Sequence, residues 1–311
     1  MITPAVDLGG TYAKGALVDG DGHRVWQERI DTHAANGFET VIDRVTELLA
    51  SLIARARSDY DYDSGPVGLA VPGLVDDQAG VAVFSANLGW RDLPLAASLS
   101  QQLGPEVVLS HDVTAGGVAE ARLGAGKGAQ TVLVVPIGTG IAAALVQRGR
   151  PYRGAHGAAL EVGHLPMPGC DEPCSCGQTG CLERVASAAG IARLYARLAG
   201  VDSRSIDAEQ VRHLAEAGHS QAAEIWDQAR SYLSQAMCWL ARILDPDRIV
   251  IGGGLAQAGD ALIRPIADQL AANFSFIKPA NVVTAQLGSW AGVVGAALLA
   301  RDRDATATAR D

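Results

Sequence analysis

Two segments of this chain, about 130 residues apart, are written to one plan. Val6-Asp7-Leu8-Gly9-Gly10-Thr11 and Val135-Pro136-Ile137-Gly138-Thr139-Gly140 each run a short strand into a glycine turn. AKGALVDGDG and AAALVQRGRP follow them, each a second strand closed by hairpin residues. A pattern that opens this way twice predicts duplicated halves, each lending one glycine turn to a shared cleft.

Strands and helices alternate along the rest of the chain, which predicts an α/β architecture. Phe38, Val41, Ile42, Val45, Leu48, Leu49, Leu52 and Ile53 fall at helical spacing on one face. Val67 to Val71 reads as a strand ending in Pro72-Gly73, and Val107 to Leu109 as another ending at Ser110-His111-Asp112. A long helix from Ala222 stops at Asp245-Pro246, and the strand Arg248 to Ile251 then runs into Gly252-Gly253-Gly254. The uncharged run from Gly128 to Gln147 is as long as a membrane span, but Pro136, Gly138 and Gly140 interrupt it. Two buried strands around a turn fit it better. With a net charge of −9 and no Lys/Arg cluster, neither nucleic acid nor an anionic membrane is an expected partner.

The glycine turns are where chemistry is expected. Bare backbone at Gly9 and Gly10 lets N–H groups approach phosphate oxygens, and Asp7 can hold Mg²⁺ directly or through water. Alone, such a turn is usually only a hairpin. Two of them in duplicated contexts, with the Gly252 run, favour a nucleotide site, and neither has the G-x-x-x-x-G-K-[ST] spacing of a P-loop. Asp112 precedes an alanine- and glycine-rich helix, Ala115 to Leu123. There it is either the helix N-cap or a general base that accepts a hydroxyl proton in phosphoryl transfer.

Four of the five cysteines lie between residues 170 and 181. Cys174, Cys176 and Cys181, with His164 before them, offer the three thiolates and one imidazole of a closed tetrahedral zinc site, with no position left for substrate. The zinc is therefore expected to be structural, with Cys170 as an alternative ligand and Glu161 and Glu183 flanking the set. Thiols bunched in this way point to a reducing compartment, hence the cytoplasm.

These residues carry a family resemblance. Asp7-Leu8-Gly9-Gly10-Thr11, Pro72-Gly73-Leu74-Val75, Asn87-Leu88-Gly89-Trp90, Gly138-Thr139-Gly140, Glu161-Val162-Gly163-His164 and CSCGQTGCLE resemble, in that order, the ROK family of repressors and sugar kinases. The resemblance implies a two-domain actin-like ATPase (ribonuclease H-like) fold, with duplicated βββαβαβα halves and an interdomain cleft. It implies a small domain of residues 1–111 plus 291–311 and a large domain of 112–290 carrying the zinc loop. Asp7, Gly9, Gly10, Thr11 and Lys14 would then face the phosphates of ATP and Mg²⁺, Gly138, Thr139 and Gly140 the phosphates from the other lobe, and Gly253 and Gly254 the adenosine. Gly73, Asn87, His111, Glu161, His164 and Glu183 would surround the sugar, with Asp112 as base. His164 would also bind zinc, using its second ring nitrogen for the sugar.

The expected activity is ATP-dependent phosphorylation of a hexose, glucose at the 6-hydroxyl by default. N-acylhexosamine, fructose or a sugar-like cyclitol are alternative substrates, and a non-catalytic sugar sensor is the alternative function. The repressors of the family carry an N-terminal helix-turn-helix module, for which a phosphate strand beginning at residue 5 leaves no room. A homodimer or homotetramer is expected. One departure stands out: where the family usually has Asn-Asp, this sequence has His111-Asp112.

Overall fold

The computed structural model describes residues 1–308 and divides the chain into two compact units. The first comprises Met1–Leu123, Pro151–Ala159 and the chain from Ser289 onward. The second comprises Gly124–Arg150 and Leu160–Gly288.

In the first unit the strands are β1 (Thr3–Leu8), β2 (Tyr12–Val18), β3 (Arg24–Asp31), β4 (Val67–Val71), β5 (Leu74–Asp76), β6 (Val81–Phe84), β7 (Arg91–Leu93) and β8 (Val107–His111). Its helices are α1 (Phe38–Asp59), α2 (Leu95–Leu103), α3 (Asp112–Arg122) and, at the end of the chain, α9 (Ala291–Thr308). The second unit holds β9 (Thr131–Pro136), β10 (Ala144–Gln147), β11 (Arg150–Pro151, whose proline opens the segment assigned to the first unit), β12 (Arg248–Gly252) and β13 (Asn281–Thr284). Its helices are α4 (Leu182–Ala186), α5 (Ala188–Ala199), α6 (Ala208–Glu216), α7 (Ser220–Leu244) and α8 (Asp260–Asn273).

The two five-stranded sheets repeat one another. The first runs β3-β2-β1-β4-β8 and the second β11-β10-β9-β12-β13. In each, the opening strand pairs antiparallel with the strand after it and parallel with the next crossover strand, β1 with β4 and β9 with β12. This is the duplication that the two glycine-turn segments announce.

Each unit has its own apolar core. The face of α1 expected to be apolar is buried: Val41, Val45, Leu48, Leu49, Leu52, Ile53 and Ala56 pack on the first sheet, with Phe38 and Ile42 partly covered at its margin. Burying aliphatic side chains of this size contributes about 1.5–3 kcal/mol each. In the second unit α7 presents Ile225, Trp226, Ala229, Leu233 and Met237 to the core. It ends at Asp245, which takes a left-handed conformation just before Pro246.

Two segments lie outside the domain to which the sequence boundary at residue 112 assigns them. Helix α3 belongs to the first unit because it lies directly against α9. A Cβ on Gly295 would stand 1.7 Å from the carbonyl oxygen of Ala115, so the two backbones touch where glycine lets them. Pro151–Ala159 also joins the first unit, where Arg153 forms an ion pair with Asp77. Both contacts join residues far apart in sequence, which no local pattern reports. Among the described residues, no helix is long and apolar enough to cross a membrane.

Candidate active site and metal centre

In the first unit the register sets three strand ends side by side. Asp7 of β1 stands opposite Ala70 of β4, which stands opposite Ser110 of β8, and Val71 is opposite His111. The turns that leave these parallel strands therefore open along one edge of the sheet: Gly9-Gly10-Thr11 after β1, Pro72-Gly73 after β4, and Asp112 after β8. Carboxyl ends of parallel strands are where open α/β sheets bind ligands. The first turn is closed by Gly9 N–H donating to the Tyr12 carbonyl at 2.9 Å, while the Thr32 hydroxyl donates to the Gly10 carbonyl at 2.9 Å. Gly10 and Thr11 remain exposed.

Lys14 lies across the β1–β2 ladder from Asp7, and its ammonium donates to the Ser289 carbonyl at 2.5 Å. Burial pushes the Asp7 carboxyl up to about 7; the charge of Asp112 adds to this and that of Lys14 opposes it. The first sheet thus brings Asp7 and Asp112 close enough to feel one another. Such a pair suits a hard divalent cation, which takes oxygen ligands and offsets both charges, so the residues fit Mg²⁺.

Asp112 is the first residue of α3, so His111 and not Asp112 occupies the N-cap position. One Asp112 carboxylate oxygen accepts from the Val113 N–H at 2.7 Å, and the same oxygen lies 3.1 Å from His111 Nε2. The imidazole is turned onto its neighbour. Gly73 follows β4 with φ +99, and a Cβ there would meet the Phe84 carbonyl oxygen at 2.2 Å. Asn87 is exposed on the loop Ser85–Trp90, closed by the Ser85 N–H donating to the Trp90 carbonyl at 3.2 Å.

The second unit repeats the layout. Gly252 of β12 stands opposite Pro136 of β9, so Gly138-Thr139-Gly140 and Gly253-Gly254 leave adjacent parallel strands. They are laced together by Ile137 N–H donating to the Gly252 carbonyl at 2.9 Å and Leu255 N–H donating to the Ile137 carbonyl at 3.0 Å. Glu183, on α4, reaches this turn: its carboxylate accepts from the Ile141 N–H at 3.0 Å. Glu161 is exposed and its carbonyl caps the short turn that carries His164.

His164, Cys174, Cys176 and Cys181 converge, each with a ligand atom within 4.8 Å of the others. Cys174 Sγ lies 3.7 Å from His164 Nδ1, and Cys176 Sγ lies 3.6 Å from Cys181 Sγ. A tetrahedral zinc with Zn–S bonds of about 2.3 Å sets its sulfurs about 3.8 Å apart, so the spacing fits that ion. The electrostatics agree. Burial works to raise the Cys174 thiol, but hydrogen bonds from Cys176, Cys181 and His164 outweigh it and bring it down to about 7. Burial and the neighbouring thiols push Cys181 up to about 12. Thiols crowded in this way compete for negative charge, a conflict that a divalent cation removes. Cys170 lies outside the four-residue cluster.

The sequence model of the ROK family matches residues 3–303. The chain belongs to the ROK family. It is 32% identical over 314 residues to a glucokinase of Halalkalibacterium halodurans, covering 96% of this chain and 94% of that protein. It is 33% identical over 305 residues to an N-acetyl-D-glucosamine kinase of Pectobacterium atrosepticum, covering 94% and 97%. Among solved structures, a ROK family glucokinase from Streptomyces griseus in complex with glucose and AMPPNP superposes with a TM-score of 0.80 at 28% identity, over 97% of this chain and 100% of that one. The fold is the actin-like ATPase fold.

One cavity of this ROK protein was not legible in its motifs. Beside Gly254 lies a cavity of about 240 Å³ walled by Ala188, Ala208, Trp226 and Leu255, with Arg212 at its edge. Only Gly254 carries a sequence signal there. Leu255 follows it on the short helical turn Gly254–Ala258, while Ala188, Ala208, Arg212 and Trp226 come from α5, α6 and α7, where they read as ordinary helix-face residues.

Proposed function

We propose that this ROK protein is an ATP-dependent hexose kinase, with glucose at the 6-hydroxyl as its default substrate. The observation that carries this is the pair Asp7 and Asp112, held at the carboxyl ends of parallel strands so that the second charge raises the first. Phosphoryl transfer needs a carboxylate to hold the metal and another to take the hydroxyl proton, and little covalent help beyond that. Bound Mg²⁺ would supply charge neutralisation at the phosphates.

The chain's own residues do the rest. Gly9, Gly10 and Thr11, and Gly138, Thr139 and Gly140, offer backbone N–H groups to phosphate oxygens, and Lys14 adds positive charge. The cavity beside Gly254 joins apolar walls, Ala188, Ala208, Trp226 and Leu255, to polar groups of Asp207, Glu209, Arg212 and Gln257, a mixture that suits an adenosine. Asn87, Glu161, His164 and Glu183 hold the sugar hydroxyls, with Gly73 beside them, while the His111 ring lies on the Asp112 carboxylate and orients it. Because His164 presents Nδ1 to Cys174, its Nε2 is the nitrogen for the sugar. The sugar 6-oxygen attacks the γ-phosphorus, the bond from that phosphorus to the β–γ bridging oxygen breaks, and the hydroxyl proton passes to Asp112. The products are a hexose 6-phosphate and ADP. The zinc set fixes the loop between His164 and Glu183 and takes no part in the transfer. Its thiols suit a reducing compartment, consistent with the cytoplasm.

N-acetylglucosamine is the second substrate to weigh, because a relative 33% identical to this chain is a kinase for it. A coupled ADP-release assay over glucose, mannose, N-acetylhexosamines, fructose and cyclitols tests the proposal. Sugar-dependent ADP release is expected, strongest with glucose. Release with no sugar on the panel would refute it.

A further inference from the structure

Glu183 is tied to the phosphate turn by its own side chain. Its Oε2 accepts from the Ile141 N–H at 3.0 Å, and a Cβ on Gly140 would stand 2.4 Å from that same oxygen. The turn is bare where the carboxylate arrives. A second grip comes from Gly163, between Glu161 and His164: a Cβ there would lie 2.2 Å from the Ile141 carbonyl oxygen and 3.4 Å from Glu183 Cβ. A third comes from Ala188, whose N–H donates to the Gly138 carbonyl at 2.8 Å. The segment that carries the metal ligands therefore holds the turn Gly138–Ile141 at both ends, and Glu183 is the one flexible side chain among these grips.

We infer that Glu183 is a positioning residue that couples sugar occupancy to nucleotide affinity. Resting on the sugar contact proposed above, one carboxylate has two tasks: one oxygen meets a sugar hydroxyl, the other holds the Ile141 N–H. Without sugar, the bond from the Ile141 N–H is the one that fixes the carboxylate. Sugar fixes the other oxygen as well, and the turn is then held with its remaining N–H groups aimed at the phosphates. A nucleotide arriving second no longer has to order the turn, so its affinity rises, and by linkage nucleotide tightens sugar by the same factor. The benefit is an enzyme that holds ATP loosely until an acceptor is present.

The test is calorimetric titration of Mg²⁺–AMPPNP with and without saturating glucose, in the zinc-loaded wild type, Glu183→Ala and Glu183→Gln. Wild type should bind the nucleotide about fivefold or more tightly with sugar present. Glu183→Ala should bring that ratio close to one. Glu183→Gln keeps an oxygen for the Ile141 N–H and should keep most of the ratio, though its sugar affinity falls. Because Glu183→Ala could disturb folding, amide hydrogen exchange over residues 138–141 of the wild type gives a second reading: glucose should slow it several-fold. An unchanged ratio in Glu183→Ala, or exchange that glucose leaves unaltered, overturns the coupling. A wild type that turns over sugar but shows a ratio near one refutes the coupling and leaves the kinase proposal standing. Absence of any sugar turnover refutes the kinase proposal and the coupling with it.

Discussion

Replacing Asp7 by Asn should make the ligand-free protein more stable at neutral pH while abolishing its use of Mg²⁺–ATP. Asp7 moves from 3.8 to about 7, chiefly by burial and secondly by the charge of Asp112. At about 1.4 kcal/mol per pH unit, the charged form is disfavoured in the folded state by on the order of 4 kcal/mol, an upper figure because the site keeps some water. The sign follows from the raised value. Stability from the protonated carboxyl is full below 3.8, falls as the unfolded chain loses its proton, and is gone once pH passes about 7. Asn has no charge to bury, so its advantage over wild type should be small at pH 4 and level off above pH 7 at about 2–4 kcal/mol. For a domain of this size that is ~5–10 °C in melting temperature. Thermal and urea unfolding at pH 4, 6 and 8, without added Mg²⁺ or nucleotide, measures it. A variant no more stable than wild type at pH 8, or an advantage that does not shrink toward pH 4, would refute the account of Asp7 as a buried carboxylate poised for a cation.

Three further outcomes are expected. Purified protein should carry about one zinc per chain, and Cys181→Ser should lower both the zinc content and the melting temperature; well under half an equivalent in the wild type contradicts the metal centre. Gly295→Val should destabilise by about 2–4 kcal/mol, read by urea unfolding, because its side chain would drive α9 away from the Ala115 backbone. His111→Asn should lower kcat by about three- to tenfold, the worth of one hydrogen bond to Asp112, and leave the ranking of sugars by kcat/KM unchanged, since the ring lies on that carboxylate; a reordered ranking shows that the ring reads the sugar instead.

Local patterns announced local structure. The glycine-turn segments foretold two sheets of identical strand order, and the spacing from Val41 to Ile53 foretold the buried face of α1. The cysteine spacing foretold a four-ligand cluster because the ligands lie within one short loop anchored by His164. What was not legible depends on distance along the chain. The first part of helix α9, residues 291–300, is apolar all round, with Val293, Val294, Ala297 and Leu298 all buried, so its composition says it is enclosed but not by which elements. Its contact with Ala115 draws α3 into the first unit, against the boundary at residue 112. The small sheet of β5, β6 and β7 escaped notice because its strands are three or four residues long and partly exposed. Glu183 could be named from its motif, whereas its bond to Ile141, 42 positions away, could not.

The most direct measurement of the central claim is the product itself. Purified wild type and Asp112→Asn, incubated with Mg²⁺–ATP and glucose, are followed by phosphorus NMR for hexose 6-phosphate and for ADP. The account predicts one hexose 6-phosphate for each ADP in the wild type, a rate lower by a factor on the order of 10² or more in Asp112→Asn, and little change in glucose affinity. ADP formed without phosphorylated sugar, or an Asp112→Asn variant that keeps a tenth or more of the wild-type rate, would contradict it.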